Sequence, residues 1–157
     1  MADGVKVKLS MKGVQKALKS QGPFKSKVAK KIVAKYALLI QGEAKINLRS
    51  DPRRIDDGIL WNSIQILLVG LGAQVFTKNE YAAFVHWGTG IHGENPKGGH
   101  RLTPWVYFDE KTRKYHVTSG MEPNMFFKNA FDKYAPLFFA DMRKALAISD
   151  TSFKNMK

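Results

Sequence analysis

Apolar and polar positions along the chain recur at two periods, one typical of strands and one typical of helices. Residues 5–9 alternate strictly, which predicts a strand with Val5, Val7 and Leu9 facing inward. Apolar residues recur about every four positions through 24–49, which predicts a long helix with one buried face. The stripe consists of Phe24, Val28, Ile32, Tyr36, Ile40 and Ala44, widened by Val33, Ala37 and Leu39.

Two further pairs of segments predict β-hairpins, and the first pair alternates between apolar and polar residues. Residues 63–69 and 73–77 flank a Gly-Leu-Gly stretch that can turn the chain, and residues 105–109 and 114–118 flank a charged tip. In the first of these strands, the residues predicted to share one side are Ile64, Ile66 and Leu68.

Helical periodicity returns from Pro123 and predicts a second long helix. Its apolar stripe consists of Phe127, Phe131, Tyr134, Phe138, Met142 and Ala145. Residues 14–20 predict a short helix, 50–58 a loop, and 81–87 either a helical turn or a strand.

Strands and helices are segregated along the chain, which favours an α+β fold. We expect an antiparallel sheet of hairpins with the two longer helices packed on one face. The expected organisation is one domain over 1–148 and a flexible tail over 149–157, where no apolar pattern remains.

The charge is strongly unbalanced. Lysine and arginine number 26 against 13 acidic residues, which gives a formal charge of +13. A field of this size attracts nucleic acid, acidic membranes or acidic proteins without choosing among them. The chain has no cysteine, no signal-peptide pattern and no apolar run long enough for a membrane span, so we expect a protein made in the cytoplasm with no membrane contact.

Two surfaces are predicted to make contacts. One is the glycine-rich loop 88–101 with the residue before it, since long loops in compact domains are usually functional. Its candidate residues are Trp87, Gly88, Thr89, Gly90, His92, Lys97, His100 and Arg101. The other is a basic face on the first long helix, formed by Lys27, Lys30, Lys31 and Lys45.

Catalytic patterns are weak. His86, His92, His100 and Glu94 offer metal-ligand chemistry, but their spacing matches no established ligand pattern, and loop histidines are the preferred interpretation. No glycine-rich stretch leads into a helix as a phosphate-binding loop would, and no serine lies in a G-x-S-x-G turn. Aromatic residues in 105–115 are interpreted as packing residues. We therefore predict no catalytic residues, no metal and no cofactor.

Three short segments resemble sequences of a known protein family, whereas the catalytic patterns above match none. They are residues 57–64 (DGILWNSI), 81–90 (YAAFVHWGTG) and 120–130 (GMEPNMFFKNA), in that order. Together they resemble the signatures of the head–tail joining, or tail-completion, proteins of lambdoid siphophages. The chain departs from the family pattern at Ile59 and in the spacer 51–56, which affects the alignment of that loop.

The resemblance implies a structural virion protein of the phage neck, assembled in the host cytoplasm and without enzymatic activity. It implies a homo-oligomeric ring, usually of six copies. The implied neighbours are connector or stopper proteins near the portal on one side and tail terminator or tail tube proteins on the other. Genomic DNA passes close by, so the basic surface has a possible non-specific contact with it.

Two alternatives stay open at this point. The net charge and the lysine face are also typical of a DNA-binding module of another kind. The histidines and Glu94 leave a metal-dependent nuclease as the remaining alternative.

Overall fold

The computed structural model describes residues 5–9, 22–50, 58–93 and 100–146, with backbone only for 22–25. In chain order the elements are β1 (Lys6–Leu9), α1 (Gly22–Arg49), α2 (Ile59–Asn62), β2 (Gln65–Val69), β3 (Gly72–Phe76), α3 (Ala82–Trp87), β4 (Trp105–Asp109), β5 (Lys114–Thr118) and α4 (Phe126–Leu146). This confirms the predicted α+β class, with antiparallel strands and two long helices that pack together. No helix within the described ranges is long and apolar enough to cross a membrane.

A three-stranded antiparallel sheet has the order β1–β3–β2. Val7 and Ile66 both lie opposite Val75, so these three side chains share the face that packs on α1. Lys6 and Lys8 point to the other side and are exposed. The strict alternation over 5–9 therefore predicted the correct inward residues.

The first long helix buries the stripe that its periodicity predicts. Tyr36, Ile40 and Ala44 are almost fully buried, whereas Val28 and Ile32 near its start are only half-buried. The helix covers β2 and β3 on one side and α4 on the other. The side chain of Phe24 lies outside the described residues.

The second long helix runs antiparallel to α1. Tyr36 donates a hydrogen bond to Asp141 (2.8 Å), Lys133 pairs with Glu43 (2.7 Å), and Asn47 donates to the Phe126 carbonyl (3.2 Å). These contacts run in opposite chain directions on the two helices. We call α1 and α4 the helix pair.

The structure corrects the start of the second long helix and assigns two segments that the sequence left unassigned or ambiguous. The second long helix begins at Phe126 rather than Pro123, because the backbone of 124–125 is held by α3 before the helix begins. Residues 59–62, which the sequence left unassigned, form the short helix α2, whose Leu60 is buried. The ambiguous segment 81–87 is helical over 82–87.

One predicted inward residue is not buried. Leu68 lies opposite Ala73 on the inner face, yet 58% of its surface is exposed. Along β2 only Ile66 is half-buried and the other four residues are exposed, so no described part of the chain covers Leu68. The predictions for 14–20, for most of the loop 50–58 and for the tail 149–157 fall outside the described residues.

Candidate subunit interface

Residues 85–91 and 119–125 form a paired strip that carries β4 and β5 away from the core. The Thr89 amide donates to the Met121 carbonyl (2.8 Å), and the Met121 amide donates back to the Thr89 carbonyl (3.2 Å). The Ile91 amide donates to Ser119 (3.0 Å), and the Asn124 amide donates to Val85 (3.1 Å). We call this strip the stem, and it joins the second and third segments of the family resemblance.

Glycines allow the two chains of the stem to approach closely. Gly90 and Gly120 both have positive φ (64° and 103°), and their Cα regions lie against each other. A Cβ atom on Gly120 would overlap the carbonyl oxygen of Thr89. A side chain at either position would therefore force the two chains of the stem apart.

A buried histidine anchors the stem to the helix pair. His86 is 2% exposed and packs its ring edge-on against Trp87 (4.6 Å) and Phe126 (4.9 Å). Its Nδ1 has no hydrogen-bond partner among the residues that the structure describes. Burial lowers the pKa of His86 to about 4 from 6.5, so the ring is neutral at pH 7.

The β4–β5 hairpin exposes an entirely apolar face. Val106 pairs with Val117 and Phe108 with Tyr115, so these four side chains lie on the same side. The exposed fractions of Tyr115 and Val117 are 75% and 76%. We call these four residues the apolar hairpin face. Among the described elements, each strand of the hairpin packs chiefly against the other, so this face is uncovered within the subunit.

Hydrogen bonds fix the tip of the hairpin. Asp109 accepts from the Thr112 hydroxyl (2.8 Å) and from the Lys111 amide (3.0 Å). These two bonds hold the pKa of Asp109 below its usual value. The Thr112 hydroxyl also lies 3.1 Å from Nε2 of His116 on β5, so the turn is tied to the strand.

The end of β2 is a second uncovered apolar surface. Leu67, Leu68 and Val69 are all about half exposed or more, and they alternate between the two faces of the sheet. The strand is the outermost in its sheet, and no described strand pairs with its outer edge. We call residues 67–69 the β2 patch.

The structure divides the predicted loop residues into two groups, one inside the stem and one on the surface. Gly88 and Gly90 are buried, and Thr89 is half-buried with its backbone and hydroxyl bonded to Met121. Trp87 is half-buried against His86. These four residues build the stem rather than its surface.

The remaining loop residues that the structure describes are exposed. Arg101 stacks on the Trp105 ring (4.8 Å), and its amide donates to the Gly90 carbonyl (3.0 Å). Nδ1 of His100 lies 3.1 Å from the Gly93 carbonyl oxygen, and His92 is exposed. Lys97 lies outside the described residues.

The predicted basic face is on the surface at its N-terminal part. Lys27, Lys30 and Lys31 are exposed, and Lys45 is half-buried. None of the four forms an ion pair within the described part of the chain, in contrast with Lys35, which pairs with Asp141 (3.0 Å). The first three therefore form a concentrated positive surface at one end of the helix pair.

The predicted histidine group does not converge. His86 is buried among aromatic rings, whereas His92 and His100 are exposed. In the ranges that the structure describes, no three His, Asp or Glu side chains are close enough to hold a metal ion. Glu94, the fourth member of the predicted group, lies outside those ranges.

Sequence analysis did not single out the apolar hairpin face or the β2 patch as contact surfaces. A signal for each is present in the sequence. The predicted strand 105–109 carries apolar or aromatic residues on both faces, and Leu67, Leu68 and Val69 are consecutive at the end of a predicted strand. An apolar strand with no polar face needs a covering layer on each side.

Comparison of the chain with protein families, with curated proteins and with solved structures gave no match.

Proposed function

We propose that the protein is a structural subunit of a tailed-phage virion that assembles into a ring at the head–tail junction. The proposal combines the resemblance of three sequence segments with one structural observation. That observation is the apolar hairpin face, which nothing in the described subunit covers.

An isolated two-stranded hairpin with an apolar face is poorly suited to exist alone in water. Three or more strands, or a packed helix, are normally needed to stabilise one. The stem nevertheless builds the hairpin on a rigid base of backbone hydrogen bonds and glycine contacts. An exposed apolar surface of this kind is typical of a subunit that buries it against another molecule on assembly.

Within the described ranges no three His, Asp or Glu side chains converge, which is compatible with a structural role. The only buried histidine in the described ranges has aromatic neighbours and no polar partner at Nδ1. A general base needs a polar partner that orients it and access to a substrate. The conspicuous features of this subunit are instead surfaces for contact.

Imaging with and without tails tests the proposal. The purified protein would be measured by mass photometry and negative-stain microscopy, alone and with tail tubes of a phage that encodes it. We expect closed rings, or density at one end of the tubes, and the protein should be present in purified virions. A strictly monomeric protein that is absent from virions would overturn the proposal.

The exposed lysines of α1 favour a second candidate function, non-specific binding of duplex DNA. A triple substitution of Lys27, Lys30 and Lys31 by Glu should abolish binding, and wild-type binding should weaken steeply with salt as counterions are released. The matched control replaces three exposed lysines elsewhere, Lys78, Lys111 and Lys114. Equal loss in both variants would indicate an effect of net charge alone.

A further inference from the structure

The four strands at the edges of the two described sheets differ in charge. The outer edge of the sheet at β1 carries the exposed lysines Lys6 and Lys8, and β5 carries Lys114 and His116. The β2 edge has no charged residue, and β4 has only Asp109 at its last position. Charged side chains on an edge strand, lysine above all, prevent pairing with another chain. Two edges are therefore protected and two are open to pairing.

We infer that β4 of one copy pairs with the β2 edge of the next copy. The contact would join the hairpin of one subunit to the three-stranded sheet of its neighbour in the order β1–β3–β2–β4–β5. This inference rests on the proposed ring and specifies the contact that builds it. The mode is strand addition, in which main-chain hydrogen bonds supply affinity and alternating side chains supply register.

The two edges match in length and in character. Each strand has five residues, and both are apolar beyond their first or last position. Both also leave apolar side chains exposed on each face of the strand, so pairing them in either register brings apolar neighbours together. The occupant that these observations favour is a second copy, because the same chain carries both halves of the contact.

The exposed areas are consistent with a stable contact. The side chains of β4 next to this edge, Val106, Tyr107 and Phe108, and those of the β2 patch are each about half exposed, and together they expose on the order of 600 Å² of mostly apolar surface, judged from the 150–250 Å² that an aromatic side chain can bury. An interface of standard size buries about 1,600 Å² in total, of which roughly 900 Å² is non-polar. The backbone edges and the polar rim would supply the rest.

The contact is head-to-tail, since it joins two different surfaces. Head-to-tail contacts generate a ring when the rotation between subunits closes, and a filament when it does not. A pairing of β2 with β2, or of β4 with β4, would instead stop at a dimer. The inference therefore predicts both the partner strands and the form of the assembly.

Disulfide crosslinking tests the strand pairing directly, because the chain contains no cysteine. Single variants Leu67→Cys, Leu68→Cys and Val69→Cys would each be mixed with Val106→Cys, Tyr107→Cys or Phe108→Cys and oxidised. Paired strands predict that the yield rises and falls with the two-residue period of the side chains. Matched positions should give at least roughly tenfold more product than mismatched ones, because a disulfide needs Cβ atoms about 4 Å apart. Lys8→Cys on the protected β1 edge is the control.

The second measurement tests how a charge placed on the open β2 edge affects ring formation. Leu68→Lys should reduce the population of rings at least about tenfold, since it gives β2 the same protection that β1 has. Leu102→Lys is the matched control, because Leu102 is 87% exposed and belongs to no strand. Circular dichroism would verify that both variants keep the wild-type fold.

The outcomes separate the contact from the proposed function. Periodic crosslinks between β2 and β4 variants, with rings lost only in Leu68→Lys, support the contact. Rings on tail tubes that show no such crosslinks overturn the contact and leave the function standing. Crosslinked assemblies that do not bind tail tubes overturn the proposed function and leave the β2–β4 contact standing. Crosslinks between identical variants overturn head-to-tail pairing, and a monomer under every condition overturns both.

Discussion

The helix pair and the β4–β5 hairpin use apolar residues in opposite ways. In the helix pair, Ile40, Phe138 and Met142 are at most 2% exposed and lie between layers of the same chain. In the hairpin, Tyr115 and Val117 are three-quarters exposed. The two regions have similar apolar content, so composition alone does not distinguish a core from a contact surface. The presence of a covering layer distinguishes them.

The difference assigns separate physical tasks to the two regions. Residues of the helix pair contribute to the free energy of unfolding of a single subunit, which is small in total for any domain. Residues of the apolar hairpin face contribute little to that quantity. In the proposed ring, their contribution would appear when the subunits associate.

The largest expected effect is in the helix pair. Phe138→Ala removes a buried ring that packs edge-on against Tyr36 at 5.6 Å, and it leaves a cavity. We expect the free energy of unfolding to fall by about 3–5 kcal/mol. Urea denaturation followed by circular dichroism measures the change. The matched control, Phe108→Ala on the hairpin, should lower it by less than about 1 kcal/mol, and equal losses would contradict the division into two regions.

A smaller effect links the stem to pH. The pKa of His86 is lowered to about 4 in the folded chain, so the unfolded chain binds more protons between pH 6.5 and 4. The contribution of His86 to the free energy of unfolding is therefore fully present above pH 6.5. It is lost as the pH falls toward 4, by about 3 kcal/mol in total.

Replacing the histidine isolates this contribution. His86→Phe keeps an aromatic ring and removes the titrating group, so its stability should fall less between pH 6.5 and 4 than that of the wild type. His92→Phe, at an exposed position, should follow the wild type. Identical pH profiles for wild type and His86→Phe in urea titrations would show that the buried ring does not control this range.

A third prediction concerns the polar contact at the centre of the helix pair. Hydrogen bonds from Tyr36 and Lys35 hold the pKa of Asp141 below its usual value. Tyr36→Phe removes the buried donor and should cost about 1 kcal/mol, since Asp141 is partly solvated. The measurement is again urea denaturation. Lys35→Met, which removes an exposed partner, should cost less, and the reverse order would contradict the assignment.

The smallest expected change in subunit stability is in the hairpin. Val117→Ser on the apolar hairpin face should alter the free energy of unfolding by about 0.5 kcal/mol or less. It should nevertheless reduce oligomer formation, which analytical ultracentrifugation measures over a range of concentrations. A variant that loses stability but keeps its oligomers would reverse the comparison between the two regions.

Local patterns predicted the elements that pack within the subunit. Val5, Val7 and Leu9 alternate because the sheet has one covered and one open face, and Tyr36, Ile40 and Ala44 repeat because α1 buries one stripe. Strand bounds for β4 and β5 also followed from two strand-like runs on either side of a charged tip. A periodic apolar pattern predicts an element correctly when those apolar residues pack against another layer of the same chain.

Features that depend on distant contacts were not readable in this way. The short helix α2 has four residues and is held by the burial of Leu60 rather than by a periodic pattern. The exposure of Leu68 depends on how much of β2 is covered by the rest of the chain, which the alternation of the strand does not show. The candidate site had the same limitation, because the glycines of the loop were taken for surface residues and in fact form the close contact between Gly90 and Gly120.

The hydrogen bond between Tyr36 and Asp141 spans 105 residues of sequence. At synthesis rates of about 5–20 residues per second, a nascent chain holds α1 for roughly 5–20 s before the opposing residues of α4 exist. During that interval the part of the apolar stripe of α1 that packs on α4 lacks its native cover, whereas β2 and β3 are already made. The helix pair therefore forms only after translation has passed α4, and a chaperone that binds exposed apolar helices would find its substrate in this window.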